Sequence, residues 1–194
     1  MILLLRLIGL LNVAVWFGAG IFFTVGVAPA FFSSEMKTIL GAQSYPVLSG
    51  RLAMIVVSRY FVLHYWCGSI ALLHQLAERF YLGKALHRLT FSLLIGICCL
   101  SLFGGLWLQP TLRRLHEIKY GRNDIYSQAQ REAADNAFRA WHGIASAINL
   151  LVLGGLGFYL WRLANPTDAL RFVPAGKFRR VNSEVDKPFG SSKL

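Results

Sequence analysis

Four long stretches of the chain contain no Asp, Glu, Lys or Arg: 7–34, 60–77, 89–112 and 140–161. None is shorter than 18 residues, and about 20 helical residues cross the ~30 Å hydrocarbon core of a bilayer. A soluble amphipathic helix carries charge on its outer face, and these stretches carry none. The pattern predicts an all-α membrane protein, a bundle of four transmembrane helices spanning about 3–32, 60–77, 89–108 and 140–161. Pro29 breaks the first span near its end, and the third stops at Gln109-Pro110.

The segments between spans have patterns of their own. After the turn signal Tyr45-Pro46, the apolar run from Leu48 to Val57 carries only Arg51, as an interfacial helix would. The 78–88 loop is short and basic. In the third connection Leu112, Leu115 and Ile118 alternate with Arg113, Arg114 and Lys119, which predicts a second interfacial helix. Gly121-Arg122-Asn123-Asp124 then reads as a turn. Ser127 with Gln130 three residues on is a capping-box signal for a helix entering span four. The four-helix domain is expected over 1–162. Beyond it, 163–194 holds Pro166, Pro174 and Pro188 with no sustained pattern and reads as a basic, mobile tail.

The spacing of the border residues admits a duplicated helical hairpin. Arg59 follows Pro29 by 30 residues and Arg139 follows Pro110 by 29. His64 and His142 lie five and three residues further on, each followed by Gly and Ser. Two such hairpins would be related by an axis along the membrane normal. Prolines and arginines also mark the borders of any four-span protein, and that alternative stays open.

Composition agrees with the pattern: 55% of the residues are hydrophobic and the mean hydropathy is +0.49, beyond a soluble domain. The formal net charge of +11 sits between and after the spans, where cations meet lipid headgroups. The lipid bilayer and anionic lipids are therefore the expected partners, together with other membrane subunits, and nucleic acid is not. Cys67, Cys98 and Cys99 all fall within spans and form neither a disulfide framework nor a zinc motif. Ala28-Pro29-Ala30 imitates a signal-peptidase site, but the apolar run before it is too long, and retention as a span is expected. The final Ser192-Lys193-Leu194 spells a peroxisomal address. That address is read on matrix proteins, so here the tripeptide reads as coincidence. Border cations divide evenly between the two sides, so the positive-inside rule gives a tie. The short second loop and basic tail tilt the expectation towards cytoplasmic termini.

Polar residues inside the membrane usually face the bundle interior. In span two Tyr60, His64, Cys67, Ala71, His74 and Glu78 share one stripe; in span four Arg139, His142, Ser146 and Asn149 share another. Their depths predict a polar, basic pocket at the face opposite the termini, built from Arg59, Gln109, Arg139 and Asn149. Two arginines there suit an anionic headgroup, a small anion or a partner, though border arginines also snorkel. The alternative is that His64 and His142 face each other and ligate haem b or copper. No Cys-x-x-Cys-His or Met cluster supports that, and no span contains an Asp for Ser-His-Asp chemistry. The glycine groups 18–20, 104–105 and 154–157 read as close helix packing.

Several of these stretches carry a family resemblance. They are Trp16-Phe17-Gly18-Ala19-Gly20, Val27-Ala28-Pro29-Ala30-Phe31, Arg59-Tyr60-Phe61, Trp107-Leu108-Gln109-Pro110 and the run from Phe138 to Leu150. With them the chain resembles the bacterial domain-of-unknown-function membrane family that includes eukaryotic transmembrane protein 205. The family usually has a Pro before the Arg-Tyr pair, where this chain has Ser58. The resemblance implies a four-helix membrane fold and no established activity. Pro29, Pro110 and Trp107 are expected to be structural, and the bacterial inner membrane is the expected location. A more distant likeness to four-helix proteins of copper uptake and haem-linked oxidation implies the haem or copper alternative by analogy. The expected function is a non-enzymatic subunit of a membrane assembly, or a small transport or lipid-binding factor.

Overall fold

In the bilayer core no water is available to hydrogen-bond backbone groups, so each span must satisfy its own as a helix. The computed structural model describes residues 2–82, 88–121 and 125–165, and among these every extended element is helical. α1 (Ile2–Phe22) runs through a π-helical turn (Phe23–Val27) into α2 (Ala28–Ala30). A short α3 (Ser34–Leu40) precedes the long α4 (Tyr45–Leu82). α5 (Arg88–Phe103) runs through a second π-helical turn (Gly104–Leu108) into α6 (Gln109–Lys119), and α7 (Gln128–Ala164) completes the set. Four of these helical runs are long and apolar enough to cross a membrane. They belong to one compact unit, Met1–Ala164. Most of the basic tail, from residue 166 on, lies outside the described residues.

The helices are longer than the charge-free stretches. α4 has 38 residues, about 57 Å at 1.5 Å per residue, nearly twice the hydrocarbon thickness. The run from Leu48 to Val57 lies within its first half rather than forming a separate interfacial helix. No Gly or Pro separates Val57 from Tyr60, and Ser58 lets the helix pass where a proline would have disfavoured it. α6 likewise continues span three, and α7 carries span four back to Gln128. The capping box forms as its sequence implies: Ser127 Oγ accepts from the Gln130 N–H at 3.3 Å, and Gln130 Oε1 from the Ser127 N–H at 2.9 Å. The expected turn at 121–124 has only Gly121 among the described residues. α3 was not expected; Ser33 caps it by accepting from the Met36 N–H at 3.2 Å, and Gly41 ends it at a φ of 73°. Glu35, in its first turn, is held below the ordinary carboxylate range by backbone N–H donors first and by Ser33 second.

The two π-helical turns have one cause. A proline lacks an N–H, and its ring collides with the carbonyl four residues back. Before Pro29 the ladder widens, so that the Ala28 N–H reaches Phe23 O; before Pro110 the Gln109 N–H reaches Gly104 O. Both bonds span five residues, and each odd-numbered span meets its proline in this way.

Within the bundle, Val13, Trp16, Cys67, Ala71, Leu94, Ile97, Val152, Leu156 and Tyr159 form the core, with contributions from all four spans. The opposite face of α4 exposes Val62, Trp66, Ile70 and Leu73, an arrangement that a soluble surface avoids and a lipid-facing one requires. Beyond the bundle, α6 packs against α7 and α4. There His116 is buried against Gly50, Lys119 pairs with Asp135 at 2.6 Å, and Arg139 pairs with the same carboxylate at 2.6 Å.

Glycines let side chains of one helix lie against the backbone of another. A Cβ on Gly9 would overlap the His74 ring, whereas one on Gly96 would meet nothing within 4 Å. Gly9→Ala is therefore expected to destabilise the detergent-purified protein by about 1–3 kcal/mol, with Gly96→Ala neutral or slightly stabilising, as read by thermal unfolding. Ser127→Ala should cost about 1 kcal/mol through loss of the α7 cap.

Candidate functional site

The two π-helical turns border the polar centre of the bundle. The first carries Thr24, whose hydroxyl donates to Gly20 O at 2.8 Å and accepts the Asn149 amide N–H at 2.8 Å. Asn149 Oδ1 accepts the Tyr60 hydroxyl at 3.1 Å, and Phe23 stacks on the Tyr60 ring with centroids 4.2 Å apart. Residues from the first, second and fourth spans thus form one hydrogen-bonded chain that ends on a backbone carbonyl. Its direction fixes the Asn149 amide: Nδ2 faces Thr24 and Oδ1 faces Tyr60.

One turn along α4 from Tyr60 stands His64, only 3% exposed. Its Nδ1 lies 3.0 Å from Trp16 Nε1 and 3.1 Å from Ser101 Oγ, while Tyr60 meets the ring edge-on at 4.3 Å. An indole nitrogen can only donate, so Nδ1 is the acceptor and the ring proton sits on Nε2. That assignment follows from the partners, as ring protons generally must. Nε2 has no hydrogen-bond partner, and a buried donor left unpaired costs about 1–3 kcal/mol. His64, Tyr60, Ser101, Gly104, Asn149 and Val152 help to line a cavity of about 50 Å³. Gly104, in the second π-helical turn, is one of its walls, and a Cβ there would lie 2.7 Å from the Phe61 ring.

Only part of the expected site assembles here. His64 and Asn149 line the same cavity. Gln109 is half-buried and donates to Met54 O at 3.3 Å. Arg59 and Arg139 are exposed, and Arg139 is tied to Asp135, so the arginines do not converge on a common basic pocket. His142 is exposed and stacks on Phe138, with centroids 5.8 Å apart; it does not face His64. The cause lies in the register of α7. Its packed side follows Phe138, Trp141, Ala145, Ile148, Val152 and Leu156. At 3.6 residues per turn, His142 stands roughly 70° and Arg139 roughly 130° from the centre of that face. The polar stripe of span four therefore crosses the helix surface obliquely, and Asn149 is the member that reaches the cavity.

In span two the stripe does face inward: His64, Cys67, Ala71 and His74 are all buried. His74 donates its Nε2 proton to Leu5 O at 2.9 Å, a contact with the first span well away from His64. Pro29 and Pro110 follow their π-helical turns. Trp107 packs edge-on against Trp141 at 5.0 Å and accepts the Thr111 hydroxyl at 2.8 Å through its carbonyl.

Trp16, Thr24 and Ser101 belong to this centre and were missing from the expected site. Thr24 and Ser101 are isolated hydroxyls in charge-free spans, which is the signal that could have found them. Trp16 has no such signal, because its indole reads equally well as packing.

The donor set does not fit haem or copper. The Trp16 N–H occupies Nδ1 and leaves the proton on Nε2, where a metal would need a lone pair. His142 is not available across the cavity. The cavity is also small, since pockets for cofactor-sized ligands run to roughly 300–1,000 Å³. Among the described residues no group of three or more His, Cys, Asp or Glu could hold a metal ion.

Asn149→Ala leaves the Tyr60 hydroxyl and Thr24 without their partner and is expected to destabilise the protein by about 1–3 kcal/mol. Arg139→Ala should stay within about 0.5 kcal/mol. Thermal unfolding of the two variants in one detergent separates the polar centre from the expected basic pocket.

No curated protein and no solved structure matches the chain. A family model described as a domain of unknown function (DUF4149) matches residues 11–121. That interval holds the first span from residue 11 on, the second and third spans, both π-helical turns with their prolines, Trp16, Thr24, Tyr60, His64 and Ser101; Asn149 lies beyond it. This multi-pass helical chain belongs to the DUF4149 family of domains of unknown function.

Proposed function

We propose that this chain is a non-enzymatic membrane protein, a small transport or ligand-binding factor or a subunit of a larger membrane assembly, whose working site is the polar centre around His64. One observation carries the reading: a fully buried histidine donor, fixed in tautomer by Trp16, that has no protein partner and lines a cavity. Intramembrane polar groups are costly and tend to mark ligand or ion paths. π-helical turns recur at functional positions; here the second lines the cavity through Gly104 and Leu108, and the first contacts its lining residues through Thr24 and Phe23. Anionic lipid remains the natural ligand for the exposed arginines Arg59 and Arg139 at the membrane border, as headgroup anchors outside the cavity.

The same reading places the protein in the bacterial inner membrane with both termini on one side, taken as cytoplasmic because of the basic tail. Kinship with eukaryotic transmembrane protein 205 is part of the proposal. It leans on the run from Phe138 to Leu150, outside the matched interval 11–121.

The test combines an absorption spectrum, metal analysis and native mass spectrometry of the detergent-purified protein. The expected result is a colourless, metal-free protein that retains lipid or a partner subunit. A Soret band or stoichiometric copper that disappears in His64→Ala, His142→Ala would replace this reading with a redox one. A protein with neither cofactor, lipid nor partner, and inactive in solute flux after reconstitution, would sink it.

A further inference from the structure

Outside the bilayer core a second histidine is buried, and it stands where helices meet rather than beside a cavity. His116 lies on α6, past the charge-free stretch 89–112 and seven residues beyond Gln109, about 10.5 Å further along the axis. It is only 4% exposed. Its ring fills the space that a side chain at Gly50 would take, with Nε2 turned towards the α4 backbone. Tyr120 covers another side of the ring, with centroids 4.8 Å apart, and Phe138 of α7 stands at 6.1 Å. Ser49, beside Gly50 on α4, is buried as well. One imidazole thus joins α6 to α4 and to α7.

The ring suits this place only while it is neutral. An imidazolium has two N–H donors. The Pro46 carbonyl faces the ring and can serve one of them, whereas Nε2 has no hydrogen-bond partner. The charges around the ring also oppose a proton. Arg51 acts on it from α4 and Lys119 from its own helix, against Glu117, which Arg113 already pairs at 3.3 Å. On α7 the carboxylate of Asp135 is committed to Lys119 and Arg139. Burial first, offset by the Pro46 carbonyl, and then Lys119 and Arg51 hold His116 below the ordinary histidine value. The closed state therefore keeps its ring neutral to a lower pH than the opened chain does. Its stability is fully present at neutral pH and is lost as pH falls below about 6.5.

We propose that His116 is a pH-sensitive latch: neutral, it clamps α6 onto α4, and a proton on it releases the two helices from each other. Each pH unit below about 6.5 shifts the balance towards the open form by up to about tenfold, hence roughly 30-fold by about pH 5. With cytoplasmic termini, the latch faces the medium outside the cytoplasm and reads its acidity. It does not depend on the role of the polar centre around His64.

The experiment is hydrogen exchange, read by mass spectrometry on the full-length, detergent-purified protein between about pH 7.5 and about pH 5 and corrected for the intrinsic pH dependence of exchange. Amides of 45–57 and 109–119 are expected to lose protection roughly 30-fold, while those of 89–103 keep it. His116→Gln, which cannot take a proton, should abolish the loss. His142→Gln, on an exposed part of α7, should retain it. Protection that stays constant in the unaltered protein, or is lost equally in His116→Gln, overturns the proposal. So does a parallel loss over 89–103, which is acid unfolding of the whole bundle. Arg51→Gln changes an exposed side chain and removes one opposing cation, so the onset should move to higher pH; an onset left in place also overturns the latch, even where His116→Gln does not fold.

Discussion

Inside a bilayer every polar group must find its partner within the protein, and the two prolines of the odd-numbered spans make that hardest to achieve. Each removes a backbone donor and pushes against a carbonyl four residues earlier. The chain widens one turn at 23–27 and again at 104–108, which restores the ladder with five-residue bonds. Thr24 and Thr111 add back-bonds to Gly20 O and Trp107 O. These wide turns have a second consequence, because they bring Thr24 and Gly104 to the middle of the bundle. The polar centre lies beside the two places where the helices depart from regularity.

Satisfaction there is nearly complete, which gives the exception its meaning. Tyr60, Asn149, Thr24 and Gly20 form a closed series of donors and acceptors. His64 is held by Trp16, Ser101 and the edge of Tyr60, yet its second nitrogen is left over. Its ring is contacted on three sides, by two groups at Nδ1 and by the edge of Tyr60. The unpaired donor follows from the geometry of the spans that pack around the ring.

The parallel between the two hairpins holds for the odd-numbered spans and stops at the even ones. Both odd spans pair a π-helical turn with a proline two residues later. Of the two border histidines, His64 faces the core and His142 faces outward. The arginines differ as well: Arg139 is bound to Asp135, which also neutralises Lys119, whereas Arg59 lies on the exposed side of α4. Whatever the origin of the likeness, the polar centre is asymmetric, with a buried histidine from one hairpin and an amide from the other.

The sequence by itself determined the membrane class, the number of spans, the α7 cap and the inward stripe of span two. Those depend on local rules: absence of charge over 18 or more residues, a Ser and Gln three apart, and the repeat of the helix. It missed where the long helices end, because the apolar run before Tyr60 contains no breaker and its continuation depends on α6 packing beside it. It also misplaced the expected arginine pocket and the facing histidines. Depth and relative azimuth along a helix can be counted from sequence, but in span four the face that packs inward could not, and a residue roughly 70° from the centre of that face is lost to the site. Only the tertiary structure decided which way Asn149 and His142 point, and only the contact with Trp16 decided which nitrogen of His64 carries the proton.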